Sequence, residues 1–153
     1  MKTTIITLIT VLSSAAFADG FVCETQSGLS LKVYNHTEAQ AGTRVGATMI
    51  ISNPEIGEGN KTIARFSDAN GTLQSDALTY TAEVDLRFND SGRKGELIGG
   101  TKLGQLKKIT LYVNFSYAAP LLHGEETSAV MVLVKRNGER LAEDVSCLRY
   151  LKN

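Results

Sequence analysis

Two stretches of strict alternation constrain this chain more than any other feature. From Tyr80 to Phe88 (YTAEVDLRF), Tyr80, Ala82, Val84, Leu86 and Phe88 share one parity and Thr81, Glu83, Asp85 and Arg87 the other. From Lys108 to Tyr117 (KITLYVNFSY), Ile109, Leu111, Val113, Phe115 and Tyr117 alternate with Lys108, Thr110, Asn114 and Ser116. Successive side chains of a strand leave on opposite faces, so each stretch predicts a strand with one buried and one wet face.

Weaker strand patterns cover Phe21 to Gln26, Leu29 to Asn35, Arg44 to Ser52, Lys61 to Ser67, Ala129 to Lys135 and Leu141 to Leu151. Between them lie NPEIGEGN, DANG and NDSGRKG, whose Gly, Asn, Asp and Ser content is turn chemistry. Asn137-Gly138 between two strand-like runs is a strong hairpin signal. No long window holds a helical period, so no helices are at hand for parallel crossovers. The prediction is an antiparallel all-β domain of about seven to ten strands, closed as a barrel or packed as a β-sandwich.

The first eighteen residues, MKTTIITLITVLSSAAFA, combine Lys2, an apolar run and Ala16-Phe17-Ala18. That is the pattern of a secretory leader cleaved after Ala18. Six Ser and Thr residues interrupt the run, which falls short of the roughly 20 apolar residues a membrane span needs. Residues 19–153 then form a single domain, periplasmic or secreted, with no further membrane-length run. Cys23 and Cys147 lie near the two ends of that domain. In an exported protein this pair predicts one disulfide joining the first and last strands.

Without Lys2, the 16 Lys and Arg become 15 against 16 Asp and Glu, a net charge of −1. A near-neutral chain lacks the broad positive field that nucleic acid recognition uses. The charge is uneven, however. Between residues 93 and 108, Arg93, Lys94, Lys102, Lys107 and Lys108 face a single acid, Glu96, forming a candidate patch for an anionic polymer or an acidic protein surface. Lysines on turns and edge strands also simply discourage edge pairing.

Within this stretch GELIGGTK approximates a phosphate loop, but Thr101 precedes Lys102 and a strand follows. The order GK[ST] and the helix N-terminus that hold a phosphate are both missing, so no nucleotide is expected. Two separated histidines, His36 and His123, supply too few ligands for zinc, and no metal or other cofactor is expected. The turn-like Ser67 to Thr72 lacks the later acids of a calcium loop and reads as an Asx-type turn. No GxSxG elbow is present. Glu125 and Glu126 beside His123 are ordinary loop polarity unless a nucleophile approaches them. Five Asn-x-Ser/Thr triplets begin at Asn35, Asn60, Asn70, Asn89 and Asn114; beside a bacterial-looking leader they read as turn and strand-surface residues.

The run RKGELIGGTKLGQLKKITLYVNFSY, with KRNGER and the ending CLRYLKN, resembles uncharacterised small secreted proteins of predatory Gram-negative bacteria. The resemblance implies export and an all-β domain, and it carries over no functional residues. The leading expectation is a secreted or periplasmic non-catalytic binding protein, an inhibitor or a binder of an anionic partner among its forms. One alternative is a small cell-wall or polymer hydrolase using Glu83 and Asp85, which share a strand face about 7 Å apart. The other is a surface or outer-membrane structural protein.

Overall fold

The computed structural model describes residues 19–39, 41–53, 61–74, 79–86, 95, 97–115 and 121–152. The expected leader, residues 1–18, lies outside them. Ten strands follow in chain order: β1 (Asp19–Thr25), β2 (Ser30–Asn35), β3 (Arg44–Asn53), β4 (Lys61–Leu73), β5 (Thr79–Asp85), β6 (Leu97–Ile98), β7 (Thr101–Lys102), β8 (Leu106–Asn114), β9 (Glu126–Lys135) and β10 (Arg140–Leu151). A 3-10 turn, Leu103–Gln105, precedes β8.

Eight of the strands close into an antiparallel barrel in the order β1-β10-β9-β8-β5-β4-β3-β2, and β6 and β7 form a separate hairpin. The barrel is thus an up-and-down meander, interrupted by one long connection between β5 and β8. Its seam is the pairing of β1 with β10, in which Cys23 faces Cys147 and the two form a disulfide. Full closure leaves the barrel no sheet edge open to aggregation.

The alternation read from the sequence selects the inside of the barrel. Tyr80, Ala82, Val84 and Leu86 are buried, as are Ile109, Leu111, Val113 and Phe115. Phe21, Leu31, Val33, Met49, Ile51, Phe66, Met131 and Leu133 join them in one continuous core. Phe88 and Tyr117, assigned to the same stripes, lie outside the described residues.

One expectation is corrected. The turn predicted over Ser67 to Thr72 is the continuation of β4. β3 partners Ala69 with Ala47 and then Phe66 with Met49, so two residues of β4 are accommodated opposite Thr48. Such a bulge bends a strand without ending it. Gly71 serves close packing here: a Cβ would lie 2.2 Å from Asn35 Oδ1 and 2.4 Å from the Tyr80 hydroxyl. Only glycine lets those two side chains meet.

Candidate functional site

The two ends of the barrel differ. At one end residues 97–106, the described part of the approach to β8, fold back over the core, where Leu86, Ile98, Leu103 and Leu106 are buried. Gly99 and Gly100 turn the β6–β7 hairpin with φ of 53° and 75°, the left-handed values a type I′ hairpin needs. The β9–β10 turn is tied to the connection by Arg136, whose Nε donates to Gly104 O at 3.2 Å and whose backbone N donates to Gln105 O at 2.9 Å. This end is closed by apolar packing.

The other end gathers the start of β1, the ends of β2, β4, β8 and β10, and residues 121–125. Here inward-facing positions turn polar. Asp19 is in phase with Phe21 and Cys23, Asn35 with Leu31 and Val33, and Arg149 with Val145 and Cys147. Tyr80 donates to Asn35 Oδ1 at 2.7 Å, Asn35 Nδ2 donates to Asp19 Oδ1 at 2.8 Å, and Arg149 Nη2 donates to Asp19 Oδ2 at 2.7 Å. Arg149 Nη1 also donates to Gly20 O at 3.2 Å. All four side chains are buried, Arg149 at 8% exposure and Asn35 at 0%. Asn35 is therefore an interior residue, a correction to its reading as strand-surface polarity.

Arg149 is also held by aromatic faces: its guanidinium carbon lies 4.8 Å from the Phe21 ring centre and 4.9 Å from that of Phe115. A cation clamped between two rings and away from water gains about 2 kcal/mol or more. The guanidinium still has an excess of donors, because Nε is buried with no hydrogen-bond partner. Burial, followed by the nearby Asp19 carboxylate, holds the Tyr80 hydroxyl well above the ordinary tyrosine range. The network thus keeps Tyr80 a neutral donor.

Above this floor opens a cavity of about 590 Å³, lined by Asp19 and Arg149 and by Ala39, Leu73, Phe115, Leu121, Leu122 and Leu151, with Glu38 and Lys152 also in its wall. Its size and mixed lining match a small-molecule site. Residues 121–125 are fixed beside it along β10: Gly124 N donates to Arg149 O at 2.8 Å and Arg149 N to Glu125 O at 2.9 Å. A larger depression, about 680 Å³, runs over Glu24, Glu126 and Asp144. It lies on the outer wall and has no comparable buried polar floor.

The residues singled out in the sequence do not converge there. Lys102 on β7 and Lys107 on β8 are exposed at the closed end, whereas Lys108 lies 3.4 Å from Glu83 Oε2 and 3.6 Å from Asp85 Oδ1. Arg93 and Lys94 lie outside the described residues. Glu83 also pairs with Arg44, so Glu83 and Asp85 belong to an outward ion-pair network. His123 Nδ1 accepts from Leu151 N at 3.0 Å, Glu125 accepts from Leu122 N at 2.6 Å, and Glu126 accepts from Ser146 Oγ at 2.6 Å. His36 Nε2 is 2.9 Å from Thr48 Oγ1. These contacts are scaffold bonds.

Among the described residues, no group of three or more His, Cys, Asp or Glu is placed to hold a metal ion, and no helix is long and apolar enough to cross a membrane. Sequence reasoning missed Asp19, Asn35 and Arg149 as a set. The signal present was polarity in phase with an apolar stripe. No family model, no curated protein and no solved structure matches this chain.

Proposed function

We propose that this chain is an exported, non-catalytic binding protein that takes a small ligand at the open end of its barrel. The observation that carries the reading is the difference between the ends: one is filled by the β5–β8 connection, and the other keeps a cavity of about 590 Å³ over the Arg149–Asp19 pair. The disulfide supports an extracytoplasmic setting, because cytosolic thiols are kept reduced. The leader pattern ending at Ala18 and the resemblance to secreted proteins of predatory Gram-negative bacteria point the same way, to a periplasmic or secreted protein.

The alternatives draw less support. A hydrolase using Glu83 and Asp85 would need both carboxylates directed at substrate, yet Arg44 and Lys108 engage them on the outer wall. A lipid-spanning barrel is apolar outside and polar within. Here the inward positions are apolar except at the open end, while Glu24, Lys32, Glu83 and Asp144 occupy outward positions. The exposed lysines at the closed end keep an anionic macromolecular partner as a separate, weaker reading.

Capture from periplasm and culture fluid tests the proposal when it is run in parallel on the wild type and a Leu122→Glu/Ala39→Glu variant. A compound retained by the wild type and absent from the variant is the expected outcome. Equal recovery on both would place the ligand elsewhere on the molecule.

A further inference from the structure

We infer that the ligand of the open end is a small amphipathic carboxylate, whose head group meets Arg149 and the α-ammonium that leader removal after Ala18 creates on Asp19. The inference rests on the proposal that this end is the binding site, and adds to it the chemical class of the ligand.

Charge supplies the first argument. Four charged side chains line the cavity, Asp19 and Glu38 against Arg149 and Lys152, so the side chains alone are balanced. A free amino terminus on Asp19 adds one positive charge at the same wall, close to Arg149, which already reaches Asp19 Oδ2 and Gly20 O. In the processed protein the described wall then sets Arg149, Lys152 and the α-ammonium against Asp19 and Glu38.

Donor count supplies the second. A guanidinium has five N–H groups and no acceptor. Arg149 has two protein acceptors, Gly20 O and Asp19 Oδ2, and its Nε is left buried with none. The acceptors of Asp19 are by contrast engaged by both Asn35 and Arg149. The floor thus holds more donors than acceptors, and the α-ammonium adds N–H groups to it. A carboxylate is acceptor-only and complements such a set with charge-assisted hydrogen bonds. The apolar side chains above the floor, Leu73, Phe115, Leu121 and Leu122, suit an alkyl body, which excludes a fully hydrated anion such as sulfate as the best fit.

The test compares decanoate with decan-1-ol, equal in chain length and different in head-group charge, by calorimetric titration of protein beginning at Asp19. Three forms are used: a free α-amino terminus, an α-acetylated terminus, and a form retaining Phe17 and Ala18. We expect decanoate to bind the free form about tenfold or more tighter than decan-1-ol, the scale of one added charge-assisted contact. In the acetylated form the preference should collapse, and in the extended form it should fall. An unchanged preference in both altered forms would remove the α-ammonium from the site. Equal affinity of both probes for the free form would overturn the carboxylate inference while leaving the open end as the binding site. If neither probe binds, and backbone amides around the cavity do not shift at millimolar probe, the site proposal fails as well.

Discussion

The two ends of this barrel solve the same problem with opposite chemistry. A closed sheet leaves two openings that water would enter, and here one is filled with Ile98, Leu103 and Leu106 while the other is crossed by Tyr80, Asn35, Asp19 and Arg149. Apolar filling gains from burial and asks little of geometry. A buried polar network repays its desolvation only when every member is satisfied, and it tends to cost stability relative to an apolar replacement. Retaining such a network at one end, with one donor unmatched, is reasonable where that end meets something other than its own chain.

The comparison can be broken at several points. The largest effect is expected at the seam the ends share: Cys23→Ala/Cys147→Ala should lose about 4 to 5 kcal/mol in the chain-entropy account of a loop this long, measured by urea unfolding. A loss below about 1 kcal/mol would mean that the disulfide adds little to closure of the barrel. At the open end, Asp19→Ala strands a buried guanidinium and should cost about 3 to 5 kcal/mol, whereas Asp19→Ala/Arg149→Met should recover much of it. A cycle with no coupling would show that the pair is not a unit. At the closed end, Ile98→Ala should cost about 2 to 5 kcal/mol by cavity formation alone, with no partner able to rescue it.

A smaller effect separates the ends by pH. Tyr80→Phe leaves Asn35 Oδ1 without its donor and should cost about 1 to 3 kcal/mol near neutrality. Because burial raises the folded-state Tyr80 pKa above its unfolded value of 10.0, the stability it contributes is intact below that value. It is lost as pH climbs from there toward the folded pKa. Unfolding free energies measured from pH 8 to 11 should therefore fall less steeply for Tyr80→Phe than for the wild type, and equal slopes would contradict the buried placement. Least of all, Leu122→Gln at the exposed rim should change stability by no more than about 0.5 kcal/mol, so that any loss of binding reads as a local effect.

The barrel wall was more legible than either of its ends. Period-two alternation marks an inward stripe directly, and the stripes through Tyr80 to Leu86 and Ile109 to Phe115 are the ones buried. The paired cysteines likewise announced the seam. The polar end was hidden because its members are separated along the chain, at positions 19, 35, 80 and 149: Tyr80 reads as part of an apolar stripe, and each of the other three alone is an ordinary polar residue near a strand end. Gly71 shows the same limit. In DANG it is indistinguishable from a turn glycine, and its purpose appears only when Asn35 and Tyr80 arrive from other strands. Conversely, the lysines near GELIGGTK were conspicuous because they are contiguous, and one of them, Lys108, turns out to be engaged by Glu83 and Asp85.

The central claim is that ligand enters at the end floored by Arg149. The most direct measurement is a backbone amide shift map of ¹⁵N-labelled protein beginning at Asp19, titrated with decanoate. The expected result is movement at Leu73, Phe115, Leu122 and Arg149, with Ile98, Leu103, Leu106 and Arg136 unmoved. Shifts gathered at Ile98 and Arg136, or along Glu24, Glu126 and Asp144 on the outer wall, would contradict it.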